Sequence, residues 1–243
     1  MKAIGVIPAR YGSTRLPGKS LVKLCGKPLI IWVMEAVSRA KELDDVIVAT
    51  DDIRIYKEVK LSGFTPVMTR VDHPSGTDRI AEAIKGRAAD IIVNIQGDEP
   101  LIDPRLIDQI VRKLRKDKHF DMATAIAPVA TKEELDQSSV VKVVFDKQMR
   151  ALYFSRSVIP CVRDDDMGVV DGIYWRHIGI YGYRASFLKK FVKAPQCKLE
   201  QAEKLEQLRA LHIGANIAVI KTDKASAGVD TPEDVARVEK LLR

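Results

Sequence analysis

Ala3-Ile4-Gly5-Val6-Ile7 runs directly into Pro8-Ala9-Arg10-Tyr11-Gly12-Ser13-Thr14-Arg15-Leu16-Pro17-Gly18-Lys19, and that junction decides the fold class. The first run is short and rich in β-branched residues, so it reads as a strand. Open α/β sheets bind their ligands at the carboxyl ends of their strands. The loop that follows sets three fixed cations, Arg10, Arg15 and Lys19, at such an end. Gly12 and Gly18 let the backbone turn close to an anion, and Pro17 restricts it. A loop of this kind suits a polyanion such as a triphosphate; the plain alternative is a solvated basic patch.

The stretch from Gly12 to Gly18-Lys19-Ser20 imitates the phosphate-binding pattern G-x-x-x-x-G-K-[ST], but five residues separate the glycines instead of four. In a true P-loop the lysine opens a helix whose N-terminus cradles phosphates. Here Gly26 and Pro28 would break that helix at once. The expectation is therefore that side chains, more than a helix end, hold the anion.

Outward from the junction, apolar runs alternate with helical periodicity. Strands are expected at 3–7, 45–49, 65–69 and 91–95, with helices at 28–41, 52–61, 77–87 and 104–116. That βαβ rhythm predicts a mostly parallel sheet flanked by helices. It then changes: 140–145 and 151–154 flank Asp146-Lys147-Gln148 as a hairpin, and 176–183 alternates like a strand. Apolar residues at 199, 202, 205, 208 and 211 predict one helix over 199–211, and a last strand is expected at 217–220. Thr231-Pro232-Glu233-Asp234 opens a terminal helix with a cap, a first-turn proline and acids. No repeats or linkers appear, so one α/β domain over 1–243 is expected, Rossmann-like, with a mixed-sheet part at roughly 120–195.

With 46% hydrophobic and 30% charged residues, the 243-residue chain can bury a sizeable core. No apolar run approaches the ~20 residues that span a bilayer, and a strand begins too early to leave room for a signal peptide. A cytoplasmic protein with no membrane partner is expected. Cys25, Cys161 and Cys197 fit neither a disulfide framework nor a metal knuckle. The net charge of +7 is spread among 33 acidic residues, and no nucleic-acid-binding motif accompanies it.

Gln96-Gly97-Asp98-Glu99-Pro100 follows a hydrophobic strand and sets Asp98 where a hard cation could sit against phosphates; a solvated turn would look similar. Gly228-Val229-Asp230-Thr231-Pro232 offers a second carboxylate, and locally Asp230 stands open between helix cap and ligand. The same holds for His73-Pro74-Ser75-Gly76-Thr77-Asp78-Arg79, a turn into a helix. Spacing alone gives Arg156, His177, Tyr181, Glu206 and Gln207 no common purpose.

Taken together, the Pro8–Lys19 loop, Asn94-Ile95-Gln96-Gly97-Asp98-Glu99-Pro100, Tyr153-Phe154-Ser155-Arg156, Arg176-His177-Ile178-Gly179-Ile180-Tyr181-Gly182-Tyr183-Arg184, Leu205-Glu206-Gln207-Leu208-Arg209 and Gly228-Val229-Asp230-Thr231-Pro232 resemble the 3-deoxy-manno-octulosonate (Kdo) cytidylyltransferases, or CMP-Kdo synthetases. The resemblance runs from residue 3 to the end of the chain. It implies a nucleotide-diphospho-sugar transferase fold and the reaction of CTP with Kdo to give CMP-Kdo and pyrophosphate, for lipopolysaccharide assembly. It also implies Mg²⁺ and a homodimer, with 120–195 serving sugar binding and dimerisation. By motif, Arg10, Arg15 and Lys19 would grip the phosphates, and Ala9, Ser13, Ser75, Arg79 and Gln96 would line the nucleotide pocket. Asp98 and Asp230 would hold magnesium. Arg156, His177, Tyr181, Glu206 and Gln207 would bind the sugar, with Arg156 and His177 at its acidic end. Ser20 stands where the family's loop usually reads Gly-Lys-Pro, and the stretch 163–174 reads as variable. The remaining alternatives are a transferase for another acid sugar or nucleotide, and a non-catalytic nucleotide- or RNA-binding protein.

Overall fold

Strand β1 (Ala3–Ala9) is buried along almost its whole length, as a strand covered on both faces must be. A computed structural model describes residues 1–12, 16–163, 169, 172–223 and 226–242. The chain forms two compact units, one of Met1–Arg112 with Ser226–Arg243 and one of Lys113–Ala225.

In the first unit, Lys19–Leu21 makes only a single 3-10 turn, so no P-loop helix follows the lysine. A small hairpin of β2 (Lys23–Leu24) and β3 (Lys27–Pro28) comes next. Helix α1 (Leu29–Val37) packs Leu29, Ile30, Val33, Met34 and Val37 into the core. It stops short of the expected residue 41, and the chain beyond it is captured elsewhere: the buried Asp108 carboxylate accepts from the Lys41 and Glu42 amides, each at 2.8 Å. Then come β4 (Asp45–Thr50), α2 (Ile53–Leu61), β5 (Thr65–Met68), α3 (Gly76–Ala83), β6 (Ile91–Asn94) and α4 (Pro104–Lys116). The strands lie in the order β6-β1-β4-β5, all parallel. The expected βαβ reading holds here.

The second unit is mixed. Strand β7 (Met122–Pro128) pairs with β10 (Trp175–Arg184) antiparallel and with β11 (Ile217–Lys221) parallel. A ribbon of β8 (Lys142–Phe145) and β9 (Ala151–Ser155) attaches through β8 to β10. The short helices α5 (Lys132–Asp136) and α6 (Ala185–Phe191) complete this part with α7 (Lys198–Glu203) and α8 (Glu206–His212). The mixed sheet thus reaches 221, beyond the expected limit near 195.

The single helix expected over 199–211 is two helices. Lys204 adopts the left-handed conformation (φ 53°) and Leu205 is extended. Leu205 is 6% exposed while Leu199 is 47% exposed, so the apolar period does not form one stripe. The carbonyls freed at the break are met by Arg156, whose Nε donates to Glu203 O at 2.6 Å and whose Nη2 reaches Lys204 O at 3.5 Å. Beside it, Lys142 is fully buried and donates to the carbonyls of Gln137 (3.0 Å), Val140 (2.8 Å) and Arg156 (2.7 Å). Helix α9 (Pro232–Leu242) belongs to the first unit. Among the described residues, no helix is long and apolar enough to cross a membrane.

Candidate active site

The carboxyl ends of β1, β4 and β6 in the first unit open into a cleft of about 800 Å³. Ala9, Arg10, Lys19, Ser75, Arg79, Gln96, Asp98 and Asp230 all line it; Ser13 and Arg15 lie outside the described residues. The Gly18 amide donates to Tyr11 O at 3.1 Å, joining the two ends of the loop. Gly18 itself has φ 67°, and a Cβ there would stand 3.1 Å from the Tyr11 ring, so glycine is required twice over. The Arg54 guanidinium covers that ring at 3.4 Å and also pairs with Asp52. Arg54 and Asp52, at the start of α2, escape sequence reasoning because charged residues at a helix end read as solvated.

Lys19 is the centre of the charge arrangement. Its Nζ lies 2.5 Å from Asp98 Oδ2 and 3.0 Å from Asp230 Oδ1. Burial works to lower its pKa, but the two carboxylates outweigh burial and raise it. Asp98 reaches the cleft because Gly97 lets β1 approach closely: a Cβ at 97 would sit 3.0 Å from Pro8 O. Asp230 is brought alongside by the Val229 amide, which donates to Asp98 O at 2.9 Å. The capping work that local sequence left open for Asp230 is done by its neighbours. Thr231 Oγ1 accepts from the Asp234 amide, and Asp234 accepts from the amides of Asp230 and Thr231.

Two carboxylates therefore converge on one cation position. Among the described residues no three His, Cys, Asp or Glu side chains group as a metal cage. That donor set fits Mg²⁺, which takes one or two carboxylates together with substrate phosphate oxygens.

The other pocket candidates differ in how they are engaged. Arg10 is exposed, and its guanidinium makes no hydrogen bond or ion pair among the described residues. Arg79 is buried and donates to Thr69 Oγ1 (2.6 Å), Asp51 Oδ2 (2.6 Å) and Arg70 O (3.2 Å), so it ties β4, β5 and α3 together at the cleft wall. Ser75 caps α3, accepting from the Asp78 amide and donating to the Asp78 carboxylate at 2.7 Å.

In the second unit, His177, Tyr181 and Gln207 come together. The His177 and Tyr181 rings are 5.3 Å apart, and Tyr181 OH donates to Gln207 Oε1 at 3.1 Å. Gln207 is buried, and its Nε2 has no hydrogen-bond partner among the described residues; a bound water or a ligand would satisfy it. Glu206 occupies the first turn of the same helix, which Arg209 steadies through buried Glu200 at 3.3 Å. Arg156 is anchored at the start of α8 on Ser138 O (2.9 Å), Glu203 O and Lys204 O. Its five N–H groups exceed these three acceptors, and the half-buried side chain leaves the remainder to solvent or a ligand. Burial lowers the His177 pKa to about 3, so His177 is a neutral imidazole and not a cation for an acidic group. Burial likewise raises Tyr181. Thr124, bound to His177, gave no sequence signal.

The cytidylyltransferase family model matches residues 4–217. A 3-deoxy-manno-octulosonate cytidylyltransferase of Bdellovibrio bacteriovorus is 51% identical, covering 100% of this chain and 98% of its own. One of Syntrophobacter fumaroxidans is 49% identical, covering 100% and 97%. The chain belongs to the 3-deoxy-manno-octulosonate cytidylyltransferase family. A solved structure of CMP:2-keto-3-deoxy-manno-octonic acid synthetase complexed with CTP superposes with a TM-score of 0.94 at 42% identity, covering 100% of this chain and 98% of that one. The expected fold class, α/β with a mostly parallel mixed sheet, stands on that likeness.

Proposed function

We infer that this protein transfers CMP from CTP to the anomeric hydroxyl of Kdo, releasing pyrophosphate and giving CMP-Kdo for lipopolysaccharide assembly. The observation that carries this reading is the convergence of Asp98, Asp230 and Lys19 at the strand ends of a family cytidylyltransferase. The C2 hydroxyl oxygen bonds to the α-phosphorus as the bond to the β-phosphate breaks. The electron pair leaves with pyrophosphate, and the hydroxyl proton passes to solvent. Lys19, Arg10 and Arg15 meet the phosphate charge, and no protein nucleophile is needed, since positioning and electrostatics supply most of such catalysis. Asp98 and Asp230 would hold Mg²⁺, which supplies charge neutralisation for the phosphates when bound. His177, Tyr181, Glu206, Gln207 and Arg156 would hold the sugar.

We further propose a homodimer working in the cytoplasm. Leu152 on β9, Val158 and Leu199 are exposed apolar side chains of the second unit that such a contact would cover, and light scattering that gives a monomer mass would overturn it. Pyrophosphate release from CTP tests the reaction. Release is expected only with Kdo and a divalent cation, and release that ignores either one would refute that part of the reading.

A further inference from the structure

Thr124 lies on β7, is fully buried, and has three polar atoms around its hydroxyl: Ile180 O at 2.7 Å, Ile178 O at 3.2 Å and His177 Nε2 at 2.8 Å. Two carbonyls reach one hydroxyl because the β7–β10 register shifts between Ile178 and Tyr181. A hydroxyl has one hydrogen and two acceptor lone pairs. Both carbonyls can only accept, so the hydrogen goes to one of them, and Ile180 O is the nearer. At 2.8 Å a bare Nε2 would then face an oxygen lone pair with no proton between them. The arrangement is satisfied only if Nε2 carries the hydrogen and donates to Thr124.

The rest of the ring is held as firmly. The His177 amide donates to Val141 O at 2.8 Å. Phe154 meets the ring edge-on at 5.1 Å, and Tyr181 lies against it at 5.3 Å. Nδ1 makes no hydrogen bond among the described residues, and His177 is half-buried.

Resting on the sugar placement proposed above, we propose that Thr124 is a positioning residue that locks His177 in its Nε2–H tautomer, so that Nδ1 accepts a hydrogen bond from a hydroxyl of the polyhydroxy acid substrate. His177 then reads a donor on the sugar and does not pair with its carboxylate. The neutral state produced by burial agrees with that role.

Long-range ¹H–¹⁵N correlation on ¹⁵N-histidine-labelled protein reads the tautomer, with His177 assigned by comparison with His177→Gln. Near neutral pH the wild type should show Nε2–H. Thr124→Ser should keep it, and Thr124→Val, of similar volume without the hydroxyl, should lose the single tautomer. Thr124→Val should raise KM for Kdo about tenfold, the scale of one lost hydrogen bond, with CTP affinity by calorimetry unchanged. Thr124→Ser should stay near wild type. An Nδ1–H or charged ring in the wild type overturns the inference, as does a Thr124→Val ring that keeps Nε2–H. If Thr124→Val does not fold, Thr124→Ala takes its place, and the wild-type spectrum stands by itself. A tautomer lost with no change in KM for Kdo removes His177 from the sugar site. Wild-type protein that releases no pyrophosphate from CTP and Kdo defeats the proposed reaction, while the spectrum still judges the tautomer lock.

Discussion

Lys19 in the first unit and Lys142 in the second are both lysines drawn out of water, and they are held by opposite chemistry. Lys19 stands between two carboxylates. Lys142 is held by three neutral backbone carbonyls. Burial works to lower the pKa of each. At Lys19 the charges of Asp98 and Asp230 prevail and the value rises; at Lys142 burial prevails, although Asp136 and Glu203 oppose it. The difference teaches what each site is for. A pair of carboxylates can exchange an ammonium for another cation, so the Lys19 site can take part in chemistry. Carbonyls fixed in a chain fold accept only what that fold offers, so Lys142 pins the junction of β8, β9 and the elbow that carries Arg156.

Removing a charge from the first arrangement should have the largest effect. Asp98→Asn is expected to lower kcat by about 10² to 10³ while circular dichroism and the melting midpoint stay close to wild type, since it deletes electrostatic support for phosphate chemistry. Near-normal turnover in a folded variant would place Asp98 outside the reaction. Gln207 extends the comparison to an uncharged group. Gln207→Ala should cost about 1 to 3 kcal/mol in kcat/KM for Kdo, and calorimetry should show CTP binding unchanged. Loss of CTP binding with normal Kdo dependence would instead assign α8 to the nucleotide.

Lys142→Met should act on the fold alone. It leaves carbonyls of Gln137, Val140 and Arg156 without their donor, and denaturant unfolding should show a loss of about 1 to 3 kcal/mol with CTP affinity intact. A drop in CTP affinity would merge the two arrangements that the comparison separates. The smallest effect is on pH. Because the folded Lys142 pKa is below 10.5, the unfolded chain binds a proton that the folded chain does not, between those two values. Wild-type stability measured relative to Lys142→Met should therefore rise as pH climbs through that window toward 10.5. A difference that stays flat or falls would mean that burial does not govern this lysine.

The parallel half of the fold was legible because its strands are β-branched runs bounded by turns, as at Ile91-Ile92-Val93. Strand β7 was not: Ala123, Ala125 and Ala127 carry little strand propensity, and only pairing with β10 and β11 makes them a strand. Helices α5 and α6 are shorter than the window in which a 3.6-residue period shows. The break at Lys204 depends on Arg156, 48 residues away, and nothing local announces it. In the candidate site, Asp98 could be read because it closely follows a hydrophobic strand. Asp230 needed the resemblance, since only the reciprocal bonds of Thr231 and Asp234 free it from the cap. Thr124 was silent because a threonine in an apolar strand looks like any other.

Asp230 is 211 residues beyond the lysine it pairs with, and the whole second unit is encoded between them. At roughly 5 to 20 residues per second, about 10 to 40 s separate the two during synthesis. Once residue 98 has been added, a ribosome-bound chain has Lys19 and Asp98 but not yet the second carboxylate. The nascent protein thus begins its nucleotide cleft before the second unit exists and completes the acidic pair only after that unit has been made, so a chain interrupted before residue 230 is born without the means to finish that site.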